Sequence, residues 1–151
     1  MKPAIHATSA ARLLDGAWRG VLIAGPPGAG KSDLALRLLG IGWRLVSDDY
    51  SLTWASQGGL FACAPPAIAG RIEARGVGLV AVRHLTIARI ELWIDCGGPA
   101  PERLPGPDRI TVDGVETPRL RLEALEASAP AKVEAAIRSL VSGLGRGTGL
   151  A

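Results

Sequence analysis

Eight residues, Gly25-Pro26-Pro27-Gly28-Ala29-Gly30-Lys31-Ser32, constrain this chain more than any others. They fit the spacing G-x4-G-K-[ST], in which glycines let backbone N–H groups turn inward around a polyphosphate. A lysine then places a point charge on the β and γ phosphates, and a hydroxyl ligates Mg²⁺. The flanks agree with that reading. Gly20-Val-Leu-Ile-Ala24 is a short apolar run that reads as a buried strand, and residues 31–39 follow as an apolar-faced helix ending at Gly40. Strand, loop and helix in that order aim a helix N-terminus at an anion. The pattern implies a nucleoside triphosphate ligand, with Mg²⁺, bound through Gly25 to Ser32.

Composition narrows the class. A length of 151 residues suits one domain, and 48% hydrophobic residues can build a core. No apolar run reaches the ~18–20 residues of a membrane span, and the N-terminus lacks the long apolar segment of a secretory signal. The expected location is the cytoplasm, without membrane association. Cys63 and Cys96 have no metal-ligand spacing and read as free thiols. A net charge of +3 is spread along the chain with no basic run, which argues against nucleic acid as the partner.

The rest of the chain reads as many strands and few helices. Residues 4–13 and 18–24 are expected to pair as a hairpin across Asp15-Gly16. Further strands are expected over 43–47, 50–54, 60–64, 77–82 and 86–94. Residues 68–75 read as a short helical turn. Residues 97–109 carry four prolines and three glycines and read as a surface loop. Residues 109–112 and 115–122 flank Asp113-Gly114 as the clearest hairpin signal, and residues 130–141 form the last helix. Residues 143–151 are expected to be a flexible tail, leaving a single domain over 1–142. The near absence of helix between the strands that follow the first helix departs from a doubly wound fold. It implies an α/β fold, a P-loop on a mixed, largely antiparallel sheet.

Phosphoryl transfer calls for a carboxylate to hold the metal or to take the acceptor's proton. Asp48-Asp49 stands at the end of the strand Trp43-Arg-Leu-Val-Ser47, and Asp95 ends the strand Arg89-Ile-Glu-Leu-Trp-Ile. Adjacent carboxylates repel, so the pair is costly without a use. The blander alternative is a solvated turn for the pair and a cap or turn residue for Asp95. The pair is favoured and Asp95 stays open. By residue type alone, Glu73 reads as a surface turn and His6 as a structural histidine.

Several segments together, in order, resemble one family. These are Ile5-His6, the strand before the P-loop, Lys31-Ser-Asp-Leu-Ala-Leu36, Gly42-Trp-Arg-Leu-Val-Ser-Asp-Asp49 and Ile72-Glu-Ala-Arg-Gly-Val-Gly78. They resemble the catalytic domain of HPr kinase/phosphorylase over about half the chain, in a short form made of that domain alone. The resemblance implies a fold related to phosphoenolpyruvate carboxykinase. It also implies ATP- and Mg²⁺-dependent phosphorylation of a serine on HPr, a phosphocarrier protein of the bacterial phosphotransferase system, with phosphorolysis as the reverse reaction. By motif, Asp48 would be the general base, Asp49 would assist with metal or orientation, Glu73 would be the second metal-side carboxylate, and His6 would lie near the base. The chain departs from the family at Pro27, where a Ser is usual, and at Trp43, which replaces a common His. A later proline-rich Gly-Arg-Asn motif is missing, so kinase activity is better supported than phosphorolysis or hexamer formation. The competing reading is a non-catalytic ATP-binding regulatory module that binds HPr or a sensor protein.

Overall fold

The Asp15-Gly16 turn acts as expected. In the computed structural model, which describes residues 2–142, strands β1 (Ala7–Leu14) and β2 (Ala17–Ala24) pair antiparallel from Ala7↔Ala24 to Leu14↔Ala17. Both turn residues have positive φ (Asp15 51°, Gly16 76°), the backbone that a two-residue hairpin with right-handed strand twist requires. Helix α1 (Lys31–Leu39) leaves the P-loop and buries Leu34, Ala35 and Leu38. The chain then returns as β3 (Arg44–Ser47), antiparallel to β1.

Next come β4 (Leu52–Ser56) and β5 (Gly59–Cys63), an antiparallel pair. The segment read as a helical turn over 68–75 is different. A 3-10 turn covers Pro66–Ile68, and β6 (Arg71–Ala74) forms a separate two-stranded sheet with β7 (Gly78–Ala81). The reason is visible in its burial. Ile72 and Ala74 point inward while Arg71 and Glu73 are exposed, a period of two that suits a pleated strand.

β8 (Ala88–Asp95) lies beside β2 in parallel. Its other edge is shared: its first half pairs antiparallel with β5, and its last residues pair parallel with β10 (Val115–Arg121). β9 (Arg109–Val112) completes a hairpin with β10 across Asp113-Gly114, as expected. Helix α2 (Ala129–Ser142) closes the described chain. The expected tail, 143–151, lies outside the described residues. The main sheet runs β3-β1-β2-β8-β10-β9, with β4-β5 joined to it through β8. Five of its ladders are antiparallel and two parallel, so the sheet is mixed and largely antiparallel.

Alternation along β2 divides the core. Val21 and Ile23 pack with Leu34 and Leu38 of α1 and with Val133 and Ile137 of α2. Leu22 faces the other way, into a second cluster with Val46, Leu60 and Ile90. All these side chains are under 5% exposed, and their burial from both faces fixes the register of β2, the strand that delivers the P-loop. Among the described residues, no helix is long and apolar enough to cross a membrane.

Candidate active site

Sheet direction sets the site. β2, β8 and β10 are mutually parallel, and β3 runs the same way because both β2 and β3 are antiparallel to β1. Their C-terminal ends therefore share one edge, and ligands of open α/β sheets bind outside such an edge. The P-loop follows β2 there. Asp48-Asp49 follow β3, and Asp95 ends β8.

The loop is built to keep its backbone free. Gly30 has φ 94°, a left-handed backbone that favours glycine, and a Cβ on it would meet Leu125 Cδ2 at 2.6 Å. Ala29 N–H donates to Pro26 O at 3.1 Å and Leu34 N–H to Gly30 O at 2.9 Å. The first N–H groups of α1 have no partner within the helix, and a helix N-terminus of this kind suits an anion. Lys31 is only 6% exposed, and its Nζ donates to Gly25 O (2.8 Å) and Pro26 O (3.0 Å). A buried ammonium held only by two carbonyls has a third donor for a phosphate oxygen.

The two aspartates separate as neighbours at a strand end do. Asp48 is 7% exposed. Its Oδ1 accepts from Ser32 Oγ at 2.5 Å and Thr8 Oγ1 at 3.3 Å, and its Oδ2 accepts from Glu73 N–H at 3.0 Å. It thus ties β1, α1 and β6 together. Asp49 has φ 68°, a left-handed conformation that Asp tolerates, and its N–H donates to Thr8 Oγ1 at 3.0 Å. That turn sends its side chain, 56% exposed, into the cleft. His6 Nε2 donates to Asp49 Oδ1 at 2.8 Å, and the His6 ring stacks on Tyr50 with centroids 4.9 Å apart.

One cleft of about 480 Å³ is lined by residues from the P-loop and α1, by His6, Asp49 and Tyr50, by Glu73 and Arg75 of the β6–β7 hairpin, and by Leu125. His6, Asp49, Glu73, Lys31 and Ser32 therefore face the same space. Of the P-loop residues, Pro27, Gly28 and Gly30 also line it, while Gly25, Pro26 and Ala29 stand behind. Asp48 borders the cleft through its bond to Ser32. Asp95 is not among the lining residues: its Oδ1 accepts Gly97 N–H at 3.1 Å, and its Oδ2 lies 3.5 Å from Arg121 Nη1. That engagement fits a residue bracing the segment beside the P-loop.

The oxygen donors fit Mg²⁺. Ser32 Oγ and the carboxylate of Glu73 are hard ligands, and Mg²⁺ needs only one or two carboxylates beside substrate phosphate and water. Among the described residues no group of three or more His, Cys, Asp or Glu forms a closed metal cage, which such a phosphate-linked ion does not require.

Reading by residue type missed Thr8, which bridges the aspartates, and Tyr50, Arg75 and Leu125 in the cleft wall. Thr8, two residues beyond His6 on β1, could have been found by strand alternation. Leu125 carries no local signal, because only the sheet order brings it to the P-loop.

Comparison with known proteins identifies the family and the fold. The family model described as the HPr Serine kinase C-terminal domain matches residues 4–89, more than half of the chain. An HPr kinase/phosphorylase of Clostridium botulinum (strain Eklund 17B / Type B) is 40% identical over 73 residues, covering 48% of this chain and 24% of that protein. One from Azoarcus sp. (strain BH72) is 34% identical over 147 residues, covering 81% of this chain and 44% of that protein. The chain thus spans less than half the length of these curated relatives. The solved structure of the Hpr(Ser) kinase/phosphatase from Coxiella burnetii superposes with a TM-score of 0.77 at 22% identity, covering 95% of this chain and 93% of that one, and so shares its fold. From the P-loop, the paired aspartates and these matches, the chain belongs to the HPr Serine kinase C-terminal domain family.

Proposed function

We propose that this chain is an ATP- and Mg²⁺-dependent serine kinase whose acceptor is an HPr-type phosphocarrier protein. The observation that carries the reading is the single cleft in which Lys31 and Ser32 meet His6, Asp49 and Glu73. Lys31 would leave Gly25 O and Pro26 O for the β and γ phosphates. Ser32 and Glu73 would hold Mg²⁺, with Asp48 fixing Ser32 Oγ; the ion when bound neutralises charge on the transferring phosphoryl group.

Geometry favours a division of labour within the aspartate pair. A general base must reach the acceptor hydroxyl in line with the γ-phosphate. Asp48 is buried, and each of its oxygens already accepts a hydrogen bond. Asp49 is exposed in the cleft and oriented by His6. Asp49 therefore takes the serine proton as the serine oxygen attacks the γ-phosphorus and ADP leaves, and Asp48 positions Ser32. In the reverse direction, attack by inorganic phosphate on phosphoserine expels the serine oxygen and forms pyrophosphate. The protonated Asp49 returns the proton to that oxygen.

The test is transfer of γ-labelled phosphate from Mg·ATP to a purified HPr-type carrier. Acid-stable label on a serine of the carrier is the expected result. ATP binding without transfer would replace this reading with an ATP-binding regulatory module.

A further inference from the structure

Leu125 is 65% exposed, yet it lines the cleft. A singly exposed leucine is ordinary on a protein surface; three features set this one apart. Its side chain lies against Gly30 of the P-loop so closely that a Cβ there would meet Leu125 Cδ2 at 2.6 Å and Cγ at 2.9 Å. The loop that carries it is pinned on both sides: Arg37 Nη2 donates to Ala124 O, and Arg37 Nη1 to Glu126 O at 3.1 Å. Arg37 is itself held by Asp33 at 2.9 Å on the same helix. The leucine thus rides on a pinned backbone and sets an apolar shelf at the mouth of a charged cleft.

Its side of the cleft follows from the sheet order, β3-β1-β2-β8-β10. The P-loop extends from β2, at the centre. Asp48 and Asp49 leave β3, two strands to one side. Leu125 follows β10, two strands to the other side, and Leu122 N–H is tied to Asp95 O at 3.0 Å at the end of β8. If the reacting phosphorus of a triphosphate lies at the carboxylates, a chain laid along the loop carries its other end toward β10.

We propose that Leu125 is the nucleoside end of the site: base and ribose lie on its exposed face while the γ-phosphate sits at Asp49 and Glu73. This rests on the reading of the cleft as a nucleoside triphosphate site. An apolar side chain recognises the flat face of a base through area removed from water and contributes no hydrogen-bond code.

The experiment compares Mg·ATP with Mg·tripolyphosphate, which has the phosphates and no nucleoside. Equilibrium binding is measured by calorimetry on the full chain, Leu125→Ser and Leu125→Met. Leu125→Ser is expected to weaken ATP by about tenfold, as loss of one leucine's buried area implies. Tripolyphosphate should stay within about twofold, and Leu125→Met should keep both affinities, since methionine preserves apolar volume. Equal weakening of both ligands would make Leu125 a brace for Gly30 only and overturn the proposal. Unchanged ATP affinity in Leu125→Ser would overturn it too, as would wild-type protein that binds tripolyphosphate as tightly as ATP. Wild-type protein that binds neither ligand would remove the triphosphate reading itself.

Discussion

Asp48→Asn separates the buried aspartate from the exposed one. The substitution preserves shape and removes charge. Asp48 accepts on both oxygens, from Ser32 Oγ at 2.5 Å and from Glu73 N–H at 3.0 Å. An asparagine amide has one acceptor oxygen and one NH₂ group. The amide oxygen takes the Glu73 N–H, and the NH₂ turns to Ser32 Oγ, a hydroxyl that accepts as well as donates. Both bonds fall from charge-assisted to neutral, at about 1 kcal/mol each. The sum is about 2 kcal/mol, and at about 2–4 °C per kcal/mol for a chain of this size Tm should fall by roughly 4–8 °C. Asp49→Asn removes only an exposed pair with His6, and its stability should stay within about 1 kcal/mol of wild type. Thermal unfolding by calorimetry, at matched pH and without nucleotide, reads both. An Asp48→Asn protein that melts with the wild type would show that its buried hydrogen bonds contribute nothing. An Asp49→Asn protein that melts well below the wild type would contradict the exposed placement of Asp49.

Three further outcomes follow from the same geometry. Lys31→Ala removes the ammonium held at Gly25 O and Pro26 O and should abolish tight Mg·ATP binding in calorimetry; unchanged affinity would remove the P-loop reading. Arg119, hydrogen-bonded to both oxygens of Asp108 at 3.0 Å, holds that carboxyl below its ordinary value of 3.8. A depressed carboxyl contributes stability above its unfolded value and loses it as pH falls through the folded one, so the urea-stability gap between wild type and Arg119→Ala should narrow from pH 7 to pH 3, and a constant gap would contradict the pairing. Burial, reinforced by the charge of Asp95, pushes the Cys96 thiol up to about 11; iodoacetamide at pH 8 should label it roughly 10²-fold more slowly than a free-cysteine peptide, and equal rates would contradict its burial beside the P-loop.

What was legible in the sequence was local. Asp15-Gly16 and Asp113-Gly114 specify their hairpins within a few residues, because positive φ at those positions is a local backbone property. The P-loop, α1 and the strand ending in Asp48-Asp49 are likewise continuous in the chain. The β6 strand was not legible. Four residues, Arg-Ile-Glu-Ala, satisfy a helical turn as easily as a strand, and the choice is made by pairing with β7. The division of roles between Asp48 and Asp49 also depends on tertiary contacts. Spacing finds the pair, but Thr8 and the Glu73 N–H, on other strands, decide which carboxylate is buried. Leu125 is furthest from sequence reading, since it meets Gly30 only because β10 lies two strands from β2.

The proposed role of Asp49 as base is tested by single-turnover transfer from saturating Mg·ATP to an HPr-type carrier, comparing wild type with Asp49→Asn by rapid quench. The expected result is serine phosphorylation by the wild type and a rate lower by about 10²-fold or more in Asp49→Asn, as for loss of a general base, with ATP affinity retained. Transfer at the wild-type rate by Asp49→Asn would contradict it.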